Sequence, residues 1–397
     1  MAAAPHRIYL DHNASAPLLP EARTALVNAL DLVGNPSSVH QEGQAARAVV
    51  EEARRSVARL VNGKPAEVVF TSGASEAAST CLSPIWIEDG QEIELDRLAV
   101  IDTDHPAIRD GGRFALDRVT RLAVDADGLL RMDTLHAWLR TLPEPGRGML
   151  AFTWANSETG VVQPLSAIVD VCREHGVILV VDAVQAAGRL PIDMAASGAD
   201  ALILSGHKIG AAKGVGAFVL SGKRRRPLPL VTGGGQEGYR RAGTPAVPLI
   251  ASFGAAAGTA ASRMPDADLR IRSLRDRLEA GLHRLSGRCL VLGGAAPRLA
   301  NTLAVAYPGL RAETAQIALD LAGFAVSAGS ACTSGKVGPS HVLAAMHAAG
   351  CPVDPKDGAI RLSLGYETTD EDIDAFVGAY EALIARTDKE ASGRAAA

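Results

Sequence analysis

The sequence is poor in cysteine and does not pair what it has. Its five cysteines are Cys81, Cys172, Cys289, Cys332 and Cys351. The count is odd and no Cys-x-x-Cys occurs, which argues against a disulfide framework or a zinc knuckle and favours a reducing, cytoplasmic setting. No run of eighteen apolar residues exists, so no membrane-spanning helix is expected. Residues 1–7 hold no apolar signal core. Charge of one sign is also missing: 40 Lys and Arg face 44 Asp and Glu, a net charge of −4. Nothing of that kind points to nucleic acid or an anionic membrane as a partner. The basic run Lys223-Arg224-Arg225-Arg226 reads as a solvated turn after a strand. No Gly-x-Gly-x-x-Gly follows the first strand, which disfavours a dinucleotide-binding dehydrogenase. There is no internal repeat.

What is present is a chain of 397 residues, 47% hydrophobic and 21% charged, as in a soluble globular enzyme of two domains. Short β-branched runs at 67–71, 98–102, 149–154, 177–182, 201–204 and 215–220 predict strands. Several are apolar throughout, as strands covered on both faces should be. Helical patterns at 44–61, 75–86 and 166–175 alternate with them, the rhythm of a mostly parallel α/β sheet. After about residue 262 the rhythm changes. A helix at 266–285 leading through 289–292 to a strand at 301–307, helices at 312–322 and 340–349, a strand at 359–364 and a last helix at 369–385 predict a smaller α+β domain. The expected division is a large α/β domain at 16–262, a small α+β domain made of 1–15 and 263–387, and a disordered tail at 388–397.

Several segments carry chemistry. Ser205-Gly206-His207-Lys208 follows a strand directly, so the lysine lies at the ligand-binding end of the sheet. There it can form a Schiff base with an aldehyde cofactor, although alone it could be a surface lysine. Asp182 ends the strand Val-Ile-Leu-Val-Val-Asp, with Gln185 one turn later. That carboxylate could bind a metal, a ribose or a helix end. Beside a lysine-bound pyridoxal it would keep the ring nitrogen protonated. Thr71-Ser72-Gly73-Ala74-Ser75-Glu76 is a strand, a small-residue turn and a helix start, which binds phosphate or simply caps the helix. The segment from Gly233-Gly234-Gly235 to Arg241-Ala242-Gly243-Thr244 offers another phosphate-facing hydroxyl, or a plain flexible loop. Ser327-Ala328-Gly329-Ser330-Ala331-Cys332-Thr333-Ser334-Gly335 sets one cysteine among small residues, a setting for an accessible thiol or a bystander. His105, just past a strand, is a ring-stacking and proton-moving candidate, or a local hydrogen-bonding residue. Arg361, inside an apolar strand, needs an anion: a substrate carboxylate or an inter-domain carboxylate.

Together these blocks resemble the cysteine desulfurases, in the class V aminotransferase group of fold-type I pyridoxal-phosphate (PLP) enzymes. The likeness runs from Tyr9-Leu10-Asp11-His12-Asn13-Ala14 to Arg361-Leu362-Ser363-Leu364-Gly365. Between them stand Gly34-Asn35-Pro36-Ser37-Ser38, Ala155-Asn156-Ser157-Glu158-Thr159-Gly160 and Thr103-Asp104-His105 in the matching order. The resemblance implies PLP as cofactor and Lys208 as the residue that carries it. It implies Asp182 at the ring nitrogen, Gln185 at the ring hydroxyl, Asn156 beside the ring and His105 stacked on it. Ala74, Ser75, Ser205 and His207 would cradle the phosphate, with Thr244 reaching it from the other subunit of a homodimer. Arg361 and Asn35 would bind the substrate, L-cysteine. Cys332 would receive the sulfur as a persulfide, hand it to an iron–sulfur scaffold or another acceptor protein, and could serve as a transient iron–sulfur ligand shared with that scaffold. Its surroundings resemble the long-loop branch of the family. Ser75 stands where threonine is frequent, Ser79 where asparagine is, and Gly238 follows Glu237 where arginine is frequent. The Ala-rich tail does not resemble the extended tail of some long-loop relatives. The rival activities are selenocysteine cleavage and amino transfer on the same scaffold, and an inactive sulfur carrier or scaffold partner that only keeps the fold.

Overall fold

The computed structural model describes residues 7–143, 147–329 and 339–395, with the side chains at 390, 391 and 393–395 aside. In chain order the elements are β1 (Ile8–Tyr9), α1 (Pro20–Leu30), α2 (Gln41–Leu60), β2 (Val68–Thr71), α3 (Ala74–Cys81), β3 (Ile85–Glu88), β4 (Gln91–Glu94), β5 (Arg97–Ile101), α4 (Pro106–Arg109), β6 (Val119–Leu122), α5 (Met132–Leu139), β7 (Gly148–Thr153), α6 (Leu165–Glu174), β8 (Ile178–Asp182), β9 (Ala201–Ser205), β10 (Gly216–Leu220), β11 (Arg225–Pro227), α7 (Val247–Leu285), β12 (Leu290–Val291), β13 (Thr302–Ala306), α8 (Ala312–Leu321), β14 (Phe324–Ala325), β15 (Ser327–Ala328), α9 (His341–Ala348), β16 (Ile360–Ser363) and α10 (Asp370–Ala395).

The large sheet has seven strands in the order β2-β10-β9-β8-β7-β5-β6. Strands β9, β8, β7, β5 and β6 are parallel neighbours, and β10 runs antiparallel to both β9 and β2. Alternation of side chains explains why its strands are apolar throughout. In β8, Leu179 and Val181 enter one core while Ile178 and Val180 enter the core on the other face. Strand β9 does the same with Leu202 and Leu204 against Ala201 and Ile203.

A four-stranded antiparallel sheet, β12-β13-β16-β15, has its own core, with Leu303, Val305, Ile360 and Leu362 among its residues. The N-terminal strand β1 pairs with β14. Helix α7 runs 39 residues and carries both cores: Ala256, Ala257 and Ala260 lie in the first, and Ile271, Leu274, Leu278 and Leu282 in the second. The helix passes through Pro265, so residue 262, where the sequence suggests a boundary, lies inside a continuous helix. Proline costs one i→i−4 bond there, and the apolar stripes on both sides hold the helix together.

Two further expectations differ from the structure. The helix expected at 75–86 stops at Cys81, and Ile85–Glu88 is instead a strand paired with β4 and β11. The last helix continues to Ala395, through most of the segment expected to be disordered. Asp388 ties it down by accepting hydrogen bonds from Arg288 at 2.8 Å and from the Tyr307 hydroxyl at 2.8 Å.

The crossing of α2 and α7 rests on a glycine. A Cβ at Gly254 would stand 2.5 Å from Ala53 Cα, closer than real Cβ atoms approach. Gly254→Ala is expected to lower stability by about 1–3 kcal/mol through overpacking. The check is a lower urea midpoint with an unchanged slope.

Candidate active site

Parallel pairing brings three strand ends to one edge. Thr153 of β7 lies opposite Asp182 of β8, Asp182 lies opposite Ile203 of β9, and Ser205 closes β9. A tight turn, Gly206–Lys208, follows at once. This is the carboxyl edge at which open α/β sheets bind ligands.

Asp182 is buried, 7% exposed. Its Oδ1 accepts from the Val184 N–H at 2.9 Å and its Oδ2 from the Thr153 hydroxyl at 3.4 Å. Among the described residues it has no ion-pair partner. Burial pushes its carboxyl above the usual range, against the opposing pull of His105, Lys208 and those hydrogen bonds. Behind it lies Asp104, 1% exposed, which accepts from Ile101 N–H at 2.7 Å and Thr153 N–H at 2.8 Å. Burial holds the Asp104 carboxyl far above the carboxylate range, and the charge of Asp182 adds to this. Sequence reasoning valued this segment for His105 alone. The buried position of Asp104, three residues after a strand, is what braces the ends of β5 and β7.

Lys208 Nζ donates to the carbonyls of Asn13 at 2.7 Å and Ala14 at 3.0 Å. Gln185 Nε2 donates to the same Asn13 carbonyl at 3.1 Å. Asn13 in turn donates through Nδ2 to Thr302 Oγ1 at 2.9 Å, so the N-terminal segment threads between the two sheets. His207 Nδ1 lies 3.2 Å from the Ser15 hydroxyl. Burial, then Lys208 and Lys213, lowers the His207 pKa to about 4, so the ring is neutral at pH 7. His105 starts the short helix α4, and its Nδ1 accepts from the Ala107 N–H at 3.1 Å. In the neutral ring that leaves the proton on Nε2.

These groups open on a cavity of about 570 Å³, within the range of small-molecule sites. Asp182, Lys208, His105, Ser75, Ser205 and Arg361 stand in its wall. So do Ala74, Gln185 and His207. Helix α3 begins at Ala74, which aims its first backbone N–H groups, the donors that bind phosphate, at this space. The adjoining Glu76 carboxylate accepts from Ser72 N–H at 2.8 Å and from Arg241 Nε at 2.8 Å. Arg361, 1% exposed, spends Nη2 on Asp11 Oδ1 at 2.6 Å and Ser327 Oγ at 2.9 Å, and Nη1 on the Ser157 carbonyl at 3.0 Å. Among the described residues its buried Nε has no partner. The guanidinium thus makes an internal ion pair and spends three of its five N–H groups.

Other candidates lie elsewhere. Asn156 is not in the cavity wall. Its Nδ2 donates to the Thr103 carbonyl at 2.8 Å and its Oδ1 accepts from Glu158 and Thr159 N–H groups, so the amide builds the turn. The residue this turn presents to the cavity is Ser157. Asn35 is exposed, and its Oδ1 accepts from Ser37 N–H at 2.9 Å in a local turn. Thr244 is exposed beside a neighbouring pocket shared with Ser72 and Arg241. The loop before it takes left-handed backbone at Glu237, Gly238 and Tyr239, with Glu237 held in a two-point ion pair by Arg54 at 2.7 and 2.8 Å.

Cys332 lies outside the described residues. The described chain on either side of its segment is anchored at the cavity. On one side Ser327 and Ala328 pair with Arg361 and Ile360. On the other, His341 Nε2 donates to the Asp104 carbonyl at 2.8 Å. Cys81, Cys172, Cys289 and Cys351 are all buried. Burial raises the thiols of Cys81 and Cys289, and pushes that of Cys172 up to about 12, which makes all three poor nucleophiles.

The profile of the Aminotransferase class-V family matches residues 8–376. The chain belongs to this family. Among class-V relatives, a cysteine desulfurase of Bradyrhizobium diazoefficiens is 39% identical over 98% of this chain and 96% of its own. An IscS-like cysteine desulfurase of Mycobacterium tuberculosis is 35% identical over 98% of this chain and 99% of its own. The crystal structure of a NifS-like protein from Rickettsia africae superposes with a TM-score of 0.84 at 28% identity, covering 96% of this chain and 99% of that one. The large, mostly parallel sheet with a smaller α+β part is therefore the fold of the class-V enzymes.

The depressed His207 pKa has a consequence in the ligand-free chain. The unfolded state takes up this proton near the ordinary 6.5, the folded state only near 4. The neutral ring's contribution to stability is complete above about pH 6.5 and is lost as pH falls towards about 4. His207→Asn is expected to flatten this part of the acid loss of the urea midpoint. Identical slopes in the two proteins would contradict it.

Proposed function

We propose that the chain is a PLP-dependent cysteine desulfurase that converts L-cysteine to L-alanine and stores the sulfur as a persulfide on Cys332. One observation carries the reading: a buried carboxylate with no ion pair among the described residues shares a cavity with a lysine that follows a strand end. The donor set suits PLP. Asp182 would hold the ring nitrogen, Lys208 would carry the aldehyde carbon, and Gln185 would meet the ring hydroxyl. The start of α3 at Ala74 and Ser75, with Ser205 and His207, would take the phosphate. In a homodimer Thr244 would complete that cradle from the partner subunit. Bound there, PLP supplies an electron sink for bonds broken at the substrate's α and β carbons.

The chain's own groups divide the remaining work. Arg361, in the cavity wall, would receive the substrate carboxylate. Lys208, once neutral, is the base that removes the α-proton. His105, in the cavity wall, would relay a proton. The Cys332 thiolate attacks the substrate sulfur. The sulfur–sulfur bond forms as the carbon–sulfur bond breaks, and the electron pair with one proton goes to the β carbon. Cysteine plus thiol gives alanine plus persulfide, so atoms and electrons balance without an outside reductant. The relatives named cysteine desulfurase support this chemistry. The setting inferred is the cytoplasm, and the acceptor an iron–sulfur scaffold or another thiolated partner. A selenocysteine substrate would use the same groups. Amino transfer would have no use for Cys332.

The test mixes the protein with PLP and L-cysteine and assays alanine together with protein-bound persulfide. Alanine without a keto acid, matched by persulfide, is expected. Lys208→Ala should lose the visible absorbance of the bound cofactor and all activity. Cys332→Ser should keep that absorbance and form no persulfide, and normal sulfide release by this variant would refute the assignment. Arg361→Lys removes the planar fork and should raise KM for cysteine at least about ten-fold with the cofactor still bound.

A further inference from the structure

The side-chain amide of Gln185 meets two neighbours that leave it one orientation. Gln185 is 2% exposed and stands in the wall of the active cavity. Its Oε1 accepts from Arg189 Nη1 at 2.5 Å, and its Nε2 donates to the Asn13 carbonyl at 3.1 Å. A guanidinium only donates and a carbonyl only accepts, so the oxygen faces Arg189 and the nitrogen faces Asn13. Turning the amide over would set N–H against N–H and oxygen against oxygen. Held this way, Nε2 gives one N–H to Asn13 and has the second for whatever occupies the cavity.

Arg189 lies four residues on, in the turn after β8. There the Ala187 and Leu190 N–H groups donate to the carbonyls of Ala183 and Ala186 at 2.8 Å each. Arg189 Nη1 also donates to the backbone carbonyl of Gln185 at 2.9 Å, and Nη2 to that of Lys208 at 3.3 Å. One guanidinium thus ties two residues of the active cavity together from behind. Arg189 is not in the wall of that cavity. It lines a separate one of about 100 Å³, which shares Lys208 with the first and is also lined by His12, Asp268, Tyr366 and Glu367. Burial lowers the Arg189 pKa to about 10, with Tyr366 raising it and Arg361 lowering it, so it is a cation and a donor at neutral pH. Burial, then the charge of Arg189, brings the neighbouring His12 down to about 4, so that ring is neutral.

We propose that Arg189 is a positioning residue: by claiming the amide oxygen of Gln185 it turns the N–H end into the cavity, which commits that wall to an anionic oxygen on the bound ring. This rests on the PLP reading and adds a residue to it. Arg189 acts through Gln185 and does not touch the cofactor. A donated N–H holds the ring oxygen as an anion and draws its charge away from the Lys208 nitrogen joined at the neighbouring ring position. Losing the donor should leave that nitrogen more basic, so the pH midpoint of the cofactor's visible absorbance should rise.

The test titrates that absorbance with pH in the full chain loaded with PLP, and measures PLP affinity, for Arg189→Met, Arg189→Lys, Gln185→Leu and the Gln185→Leu/Arg189→Met double variant. Arg189→Met should raise the midpoint by about half a pH unit or more and weaken PLP binding by about ten-fold. Arg189→Lys keeps a cationic donor and should show a smaller rise. Gln185→Leu should raise the midpoint at least as far as Arg189→Met, and adding Arg189→Met to it should move the midpoint no further. An unchanged midpoint in Arg189→Met overturns the proposal. So does an equal rise from Arg189→Met in the Gln185→Leu background, because the arginine would then act by its field alone. Should Arg189→Met not fold, Arg189→Lys decides, and no rise in its midpoint overturns the proposal. If wild type takes up no PLP, the cofactor reading has failed, and thermal unfolding of the ligand-free variants decides the contact. A double variant that loses less than the sum of the two singles upholds it, and additive losses overturn it.

Discussion

The structure turns on a carboxylate that folding has buried with no ion pair among the described residues. Asp182 sits at the end of an interior strand, hydrogen-bonded to one backbone N–H and, at longer range, one hydroxyl. An ionised group in such a place costs several kcal/mol unless a cation meets it. The protein answers in part by raising its proton affinity and in part with the fields of His105 and Lys208. A protonated pyridine nitrogen inside the cavity would answer the rest. The same pairing would keep that nitrogen protonated, which is what an electron sink requires.

Much of the surrounding structure keeps this arrangement in place. The parallel register of β7, β8 and β9 sets the strand ends level. Asp104 braces two of those ends from behind. The N-terminal segment offers the carbonyls of Asn13 and Ala14 to Lys208 and sends Asp11 to Arg361. Helix α7 carries both hydrophobic cores on one rod. The cavity thus gathers side chains from the beginning, the middle and the end of the sequence.

Much of this was legible in the sequence because the strands of the large sheet are covered on both faces and read as unbroken apolar runs. Val-Ile-Leu-Val-Val-Asp announces both its strand and the residue at its end. The antiparallel course of β10 was not legible, since periodicity carries no direction. The strand at Ile85–Glu88 was lost inside a helical pattern, because short apolar runs fit either period. In the site, Lys208, Asp182, His105 and Arg361 were visible as odd residues at strand ends or inside an apolar strand. Asn156 and Ser157 are neighbours, and only the turn decides which one faces the cavity. Asp104 looks like an ordinary loop carboxylate until its burial is seen.

The account depends on Asp182 meeting a protonated ring nitrogen. Nitrogen NMR of the protein loaded with ring-labelled PLP measures this directly. A protonated nitrogen at neutral pH in wild type, lost in Asp182→Asn, is the predicted result. An unprotonated nitrogen in wild type, or one indifferent to the substitution, would contradict it.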